Sequence, residues 1–209
     1  MTTALKKTLI DGLGVLQLSV SPAQIQQLLD YLALLTKWNK AYNLTAVRDP
    51  LQMVTRHLLD SLAILPFLQG QRIIDIGTGA GLPGIPLAIV DPQRQYTLLD
   101  SNGKKMRFLQ NVVAQLGLTQ VSLVEARAEG YASELGFDSI VARAVASLAE
   151  IMANTAHLLR PQGHWLLMKG QYPQDELEQI TLSHTVIPYQ VPGLDEQRHL
   201  VRLSRASSC

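Results

Sequence analysis

The chain has 209 residues, 47% of them apolar and 17% charged, with a formal net charge of +1. That suffices for one globular domain, or a domain with a modest extension, and the near-neutral balance excludes the strongly basic kind of nucleic-acid binder, although a folded surface can still gather cations on one face. The single cysteine, Cys209, is the last residue, which excludes a disulfide framework and points to a reducing compartment.

In chain order, Lys6 and Lys7 imitate the start of a signal peptide, but Asp11 and Gly12 break the apolar run that should follow. No run of about 18 apolar residues occurs either. A soluble, cytoplasmic, monomeric protein with no membrane contact and no metal is expected. Ser21-Pro22 reads as an N-cap followed by an N1 proline, and Ile25, Leu28, Leu29, Leu32 and Leu35 recur at helical spacing. Asp49-Pro50 repeats the start signal, and Leu51, Val54, Leu58, Leu62 and Leu65 then predict one helix that ends at Pro66. From Arg72 the period changes. Strands expected over Arg72–Ile76, Tyr96–Asp100, Val121–Glu125, Phe137–Ala142 and Gly163–Lys169 alternate with helices from Gly84, over Lys104–Leu116 and over Leu148–Leu159, the pattern of βαβ units and a parallel sheet. Thr185–Val191 and Arg198–Ser204, joined by Pro192-Gly193-Leu194-Asp195 without a helix, predict an antiparallel pair at the sheet edge. The expectation is an α/β fold: a helical extension over 1–69 and a Rossmann-like core over 70–209, packed as one compact unit. Seven mostly parallel strands with a terminal hairpin resemble the plan of the class I S-adenosylmethionine-dependent methyltransferases.

The stretch from Arg72 to Pro86, R-I-I-D-I-G-T-G-A-G-L-P-G-I-P, carries the strongest chemical signal. An apolar run ends in a turn with three glycines in five residues (Gly77, Gly79, Gly81), which lets a ligand approach the main chain beside the free N–H groups of a helix start. A dinucleotide fingerprint reads G-x-G-x-x-G. Counted from Gly77 the sixth position is Leu82, and only a mid-loop count from Gly79 to Gly84 completes that pattern. Asp75 precedes the first glycine inside the strand. Asp100 closes the next apolar run, where its carboxylate can accept both hydroxyls of a ribose. Loop and acid fit either NAD or S-adenosylmethionine. The D-x-G-x-G-x-G form, with no pyrophosphate turn, favours S-adenosylmethionine, with S-adenosylhomocysteine as product. The Asp75–Gly84 bend, including Asp75, Gly77 and Gly79, is expected to cradle that donor.

In open parallel sheets ligands sit outside the carboxyl ends of the strands. The fourth strand ends in Val141-Ala142-Arg143-Ala144. The Asn/Asp-Pro-Pro-aromatic turn found there in exocyclic-amine methyltransferases is missing. Methylation of pyrimidine carbon 5 needs a cysteine nucleophile, and Cys209 on a polar tail is a poor one. A ring nitrogen such as guanine N7 needs neither catalyst: its lone pair carries no proton, so rate comes from alignment, with reacting atoms about 3–3.5 Å apart. Arg143 is suited to hold guanine O6; alternatively it forms an ion pair with Glu125, Glu129 or Asp138. Lys169, ending the fifth strand, is the second candidate for contact with substrate.

Several motifs occur in order: W-N-K-A-Y-N-L-T (Trp38–Thr45), R-H-L-L-D-S (Arg56–Ser61), D-I-G-T-G-A-G-L-P-G-I-P-L-A (Asp75–Ala88), L-L-D-S-N-G-K-K (Leu98–Lys105), F-D-S-I-V-A-R-A (Phe137–Ala144), K-G-Q (Lys169–Gln171) and R-H-L-V (Arg198–Val201). Together they resemble the bacterial 16S ribosomal RNA guanine-N7 methyltransferase family, RsmG, once called GidB, from about residue 20 onward. The resemblance implies a target guanine in the decoding-region loop of 16S ribosomal RNA, as naked RNA or in the small subunit. It places donor contacts on Gly77, Leu82, Asp100, Ala128, Glu129 and Arg143. Ala80 stands where other members often have proline, which should not disturb a contact made through backbone.

His57, Asp60 and Ser61 share one helix but make no catalytic triad, because a mid-helix serine lacks the exposed turn and oxyanion site a nucleophile needs. Arg56 and His57 are expected to face RNA, or His57 to cap a buried polar contact. Trp38 and Tyr42, one helical turn apart, either stack a base or pack in the core, the commoner fate. Arg48, Arg56, Lys104, Lys105 and Arg107, with Lys37 and Lys40, are candidates for a phosphate track. His164 reads as structural. The rival readings are a small-molecule methyltransferase and a non-enzymatic nucleotide sensor.

Overall fold

The computed structural model describes residues 3–143 and 146–204; Ala144 and Cys209 lie outside the described residues. Two helices open the chain, α1 (Thr3–Val15) and α2 (Pro22–Tyr42). The start of α2 follows its sequence signals. Ser21 Oγ accepts from the Gln24 amide while the Gln24 side chain accepts from the Ser21 amide, and Pro22 occupies the first turn, where its missing N–H costs nothing.

The same Gln24 does a second task. Its Nε2 donates to the carbonyls of Ile89 and Val90, at the end of α5 (Gly84–Val90), where helical carbonyls lack partners of their own. Gln27 Nε2 reaches the Leu116 carbonyl at the end of α6 (Gly103–Leu116), and Tyr31 Oη donates to the Ala80 carbonyl inside the glycine turn. These three side chains lie on one face of α2 at i, i+3 and i+7. They fasten the helical extension to both helices that follow the first two strands.

Seven strands form one sheet in the order β3-β2-β1-β4-β5-β7-β6: β1 (Arg72–Ile76), β2 (Gln95–Asp100), β3 (Val121–Glu125), β4 (Phe137–Arg143), β5 (Leu159–Lys169), β6 (His184–Tyr189) and β7 (Arg198–Ser204). The first five are parallel, and β7 runs antiparallel to β5 and β6. Strand β1 sits between β2 and β4, so the connections diverge from it and open a crevice at its carboxyl end. Alternate residues feed two cores. Ile73, Leu98, Val141, Leu166 and Leu200 pack with α5, α6 and the N-terminal helices, whereas Ile74, Leu99, Ile140 and Leu167 pack with α7 (Leu148–Thr155) and α8 (Gln174–Leu177).

Several boundaries differ from expectation: β2, β4 and the helix after β2 differ by one residue at one end, and β6 spans His184–Tyr189 where Thr185–Val191 is expected. The helix expected after Asp49-Pro50 is α3 (Pro50–Met53), a π-helical turn over Val54–Leu59, and α4 (Asp60–Leu62). The wider turn changes the rotation per residue, so Thr55, His57 and Asp60 are buried together with the apolar stripe, while Leu51 is left exposed. The helix expected to reach Leu159 stops at Thr155, whose hydroxyl donates back to the Ile151 carbonyl and accepts from Trp165 Nε1 at 2.9 Å. Strand β5 then starts at Leu159, four residues before the expected Gly163, because Leu159 pairs with Phe137. Trp38 packs against Phe108, with ring centroids 5.7 Å apart, and joins the first core, so core packing is its role.

Gln24→Ala removes half of a capping box and two bonds to the α5 terminus. We expect about 1–3 kcal/mol of lost stability, read as a lower urea midpoint at unchanged m-value.

Candidate active site

The crevice above β1 is a single cleft of about 770 Å³. Its first half is the glycine turn. Gly77, Gly79 and Gly81 have φ of 63°, 61° and 95°, a region that side chains with a Cβ avoid. Gly81 is doubly constrained, since a Cβ there would stand 2.5 Å from Ile85 and 2.8 Å from Leu109. Gly77, Gly79 and Leu82 line the cleft, as do Asp100, Ala128 and Glu129 across from them. Asp100 is buried; one of its oxygens accepts from the Gly79 amide and the other from the Asn102 amide, each at 2.9 Å. Each oxygen keeps a lone pair free, so the carboxylate still suits a ribose diol. The open main chain, that acid and the apolar floor of Ile76, Leu82 and Leu99 fit an adenosyl group.

Asp75 corrects the expectation that it touches the donor. It lies beneath the turn, 1% exposed and outside the cleft wall, and its Oδ2 accepts from Thr78 Oγ1 at 2.6 Å and from the Gly84 amide at 2.9 Å. Gly84 must be glycine for the same reason: a Cβ would sit 2.2 Å from Leu98 and 2.8 Å from that oxygen. Burial outweighs these hydrogen bonds and pushes the Asp75 carboxyl up to about 7. Asp75 therefore shapes the bend and does not bind in it.

Lys105, expected on a phosphate track with Lys104, places its ammonium 3.6 Å from Asp100 Oδ2 beside the glycine turn. Lys104 and Arg107 are exposed on the outer face of α6, and Arg48 is exposed near Asn43.

The second half of the cleft joins the N-terminal helices to the far strands. Arg143, ending β4, pairs with none of Glu125, Glu129 or Asp138. Its Nη1 donates to the Arg56 carbonyl at 2.9 Å and to Asp60 Oδ2 at 3.1 Å. The other Asp60 oxygen lies 3.7 Å from Arg198 Nε and accepts from Tyr189 Oη at 3.4 Å. Burial keeps the Tyr189 phenol protonated well above its ordinary range, so it remains a donor. His57 does not face an exposed phosphate path: it is buried, and its Nε2 lies 2.9 Å from Thr45 Oγ1. Burial first, and then the Arg143 charge, push the ring down to about 4, so it is neutral near pH 7. Ser61 is fully buried, as the rejection of a triad requires. Lys169 lines the cleft, but its ammonium is held at 2.8 Å by both oxygens of Glu176, which also accepts from the Leu148 amide. His164 is structural, with Nε2 3.0 Å from Arg202.

Asp60, Tyr189 and Arg198 are the site residues that local sequence reasoning missed. Arg198 did stand in the motif R-H-L-V, but no periodicity links it to an aspartate more than a hundred positions earlier.

The strand order, the glycine turn and the acid ending β2 define a class I methyltransferase fold. TrmK of M. capricolum, solved with S-adenosyl-homocysteine, superposes with a TM-score of 0.56 at 16% identity, over 69% of this chain and 67% of its own. The family described as rRNA small subunit methyltransferase G (GidB) matches residues 24–201, and the chain belongs to it. The ribosomal RNA small subunit methyltransferase G of Alteromonas mediterranea is 49% identical over 200 residues, covering 94% of this chain and 95% of its own. That of Idiomarina loihiensis is 48% identical over 206 residues, covering 97% and 100%. Among the described residues no helix is long and apolar enough to cross a membrane.

Two stability measurements test this geometry. Asp60→Ala leaves two guanidiniums without their buried partner and should cost about 3–5 kcal/mol in urea unfolding. A carboxyl that holds its proton more tightly when folded contributes stability that is complete below its ordinary value of 3.8 and is lost as pH rises through about 7. Wild type should therefore lose stability relative to Asp75→Asn across that window, by on the order of 2–4 kcal/mol. A pH-independent difference would contradict the buried neutral carboxyl.

Proposed function

We propose that this chain transfers the methyl group of S-adenosylmethionine to N7 of a guanine in the decoding-region loop of 16S ribosomal RNA. The observation that carries the reading is the union, in one cleft, of a donor half (Gly77, Gly79, Leu82, Asp100, Ala128, Glu129) with an arginine-lined acceptor half. Membership of the small-subunit rRNA methyltransferase G family supports the substrate class.

S-adenosylmethionine, when bound, supplies an electrophilic methyl on a sulfonium. The chain's own residues then have three tasks. Asp100 accepts the ribose hydroxyls and the turn closes on the adenosyl group through main chain, which fixes one reactant. Arg143 holds the guanine edge: among the described residues its two hydrogen bonds both leave from Nη1, and its other N–H groups are the donors assigned to O6. Asp60 offsets part of the Arg143 charge, which lowers the repulsion felt by the base as it becomes cationic. No cleft-lining side chain among the described residues is a thiol, and Asp60 is already held by two guanidiniums. Both features accord with direct attack by a ring nitrogen that has no proton to lose and forms no covalent enzyme intermediate. Lys169 positions the β5 end of the cleft through Glu176. Arg48, Lys104 and Arg107 supply phosphate contacts on the surface, and Arg56 does so from the cleft wall.

Radiolabelled methyl incorporation into purified small subunits tests the reading: we expect label in the RNA, and its absence at saturating donor would reject it. Asp100→Ala should weaken donor binding by about 1–3 kcal/mol in calorimetry. Lys104→Glu should leave donor affinity alone and make RNA methylation more salt-sensitive, whereas Lys105→Glu sets a second carboxylate beside Asp100 and should weaken the donor itself. Equal effects of the two lysine variants on donor affinity would contradict the assignment of Lys105.

A further inference from the structure

Arg56 on the π-helical turn and Arg198 at the start of β7 both line the cleft, and one carboxylate stands between them. Glu196 Oε2 lies 3.4 Å from Arg198 Nη2 and 3.8 Å from Arg56 Nη1. We propose that these two guanidiniums are the seat for one phosphodiester of the RNA, flanking the nucleotide that enters the cleft, and that Glu196 occupies the seat until RNA displaces it. The proposal rests on the reading of the chain as an RNA methyltransferase.

Glu196 is a weak occupant. Charge-assisted N–H···O bonds are about 2.7–2.9 Å long, and both of its contacts are longer. Its side chain is 59% exposed, and pairs of that kind contribute little. Asp60 behaves differently: it is buried and grips Arg143 at 3.1 Å, so it stays in place when the outer carboxylate leaves. Three guanidiniums (Arg56, Arg143, Arg198) face two carboxylates (Asp60, Glu196), an excess of one positive charge that becomes two once Glu196 moves out. Two guanidinium forks around one exchangeable anion match the geometry of a phosphate.

The position also suits the substrate. A base must leave its stack to reach a reagent held in a cleft, which brings its own backbone phosphates to the mouth. Glu196 is not part of the cleft wall and stands outside it, against two arginines that are. At Gly170 a Cβ would come within 3.3 Å of Arg198 Nη1, so glycine leaves that guanidinium room.

The test is fluorescence anisotropy of a labelled single-stranded RNA oligonucleotide with the full chain in S-adenosylhomocysteine, using wild type, Glu196→Gln, Arg56→Met and the double variant. Thermal melts verify that each is folded. Glu196→Gln should tighten RNA binding about three- to tenfold. Arg56→Met should weaken it and reduce the slope of log affinity against log salt by about 0.7. In the double variant the gain from Gln should shrink, because only the Arg198 half of the seat is left to be freed. A Glu196→Gln protein that binds no tighter, or a gain of undiminished size in the Arg56→Met background, overturns the phosphate seat alone if wild type still methylates small subunits. A wild type that methylates no RNA overturns the functional reading beneath it.

Discussion

Asp60 brings a negative charge into the interior, and burying a carboxylate without partners would cost several kcal/mol. It is tolerable because three strands send a partner to the same point: Arg143 from the end of β4, Arg198 from the start of β7 and Tyr189 from the end of β6. The acid itself comes from the N-terminal helices. The helical extension and the sheet thus share one buried carboxylate, and the second half of the cleft exists only where they meet. The π-helical turn before Asp60 delivers the acid to that point, together with Arg56, whose carbonyl takes the second Arg143 bond.

The donor half depends on a parallel arrangement at smaller scale. Asp75 ties Thr78 to Gly84 beneath the glycine turn, and Tyr31 holds the Ala80 carbonyl from above. The turn is clamped between its own strand and α2, so its open main chain is preorganised and little ordering is left for a ligand to impose. Gln24 and Gln27 extend the clamp to the ends of α5 and α6. An N-terminal extension that seems peripheral in sequence therefore sets the geometry of both halves.

The sheet was readable because its signals are local. Short apolar runs, the cap at Ser21-Pro22 and the glycine turn each lie within a few residues, and β1, β3 and β7 have the bounds expected from them. Gly77, Gly79, Leu82 and Asp100 do line the cleft. Elsewhere the reading failed for physical reasons. Asp75 and Asp100 look alike as acids near strand ends, and both are buried, but only the second lines the cleft, while the first turns to Thr78 and Gly84 beneath the bend; spacing does not show which way a carboxylate turns. Lys104 and Lys105 look equivalent in sequence, although successive helix residues point about a hundred degrees apart and only Lys105 turns to Asp100. The sequence offers Glu125, Glu129 and Asp138 as partners of Arg143, but the partner is Asp60, which follows a π turn that no apolar pattern announces.

Guanine N7 as the acceptor is the claim on which the chemistry of this cleft converges. Nucleoside mass spectrometry of small-subunit RNA, from cells with and without this protein, tests it most directly. The account predicts that 7-methylguanosine falls in the cells that lack the protein and returns when the gene is restored. An unchanged level, or the loss of a different methylated nucleoside, would contradict it.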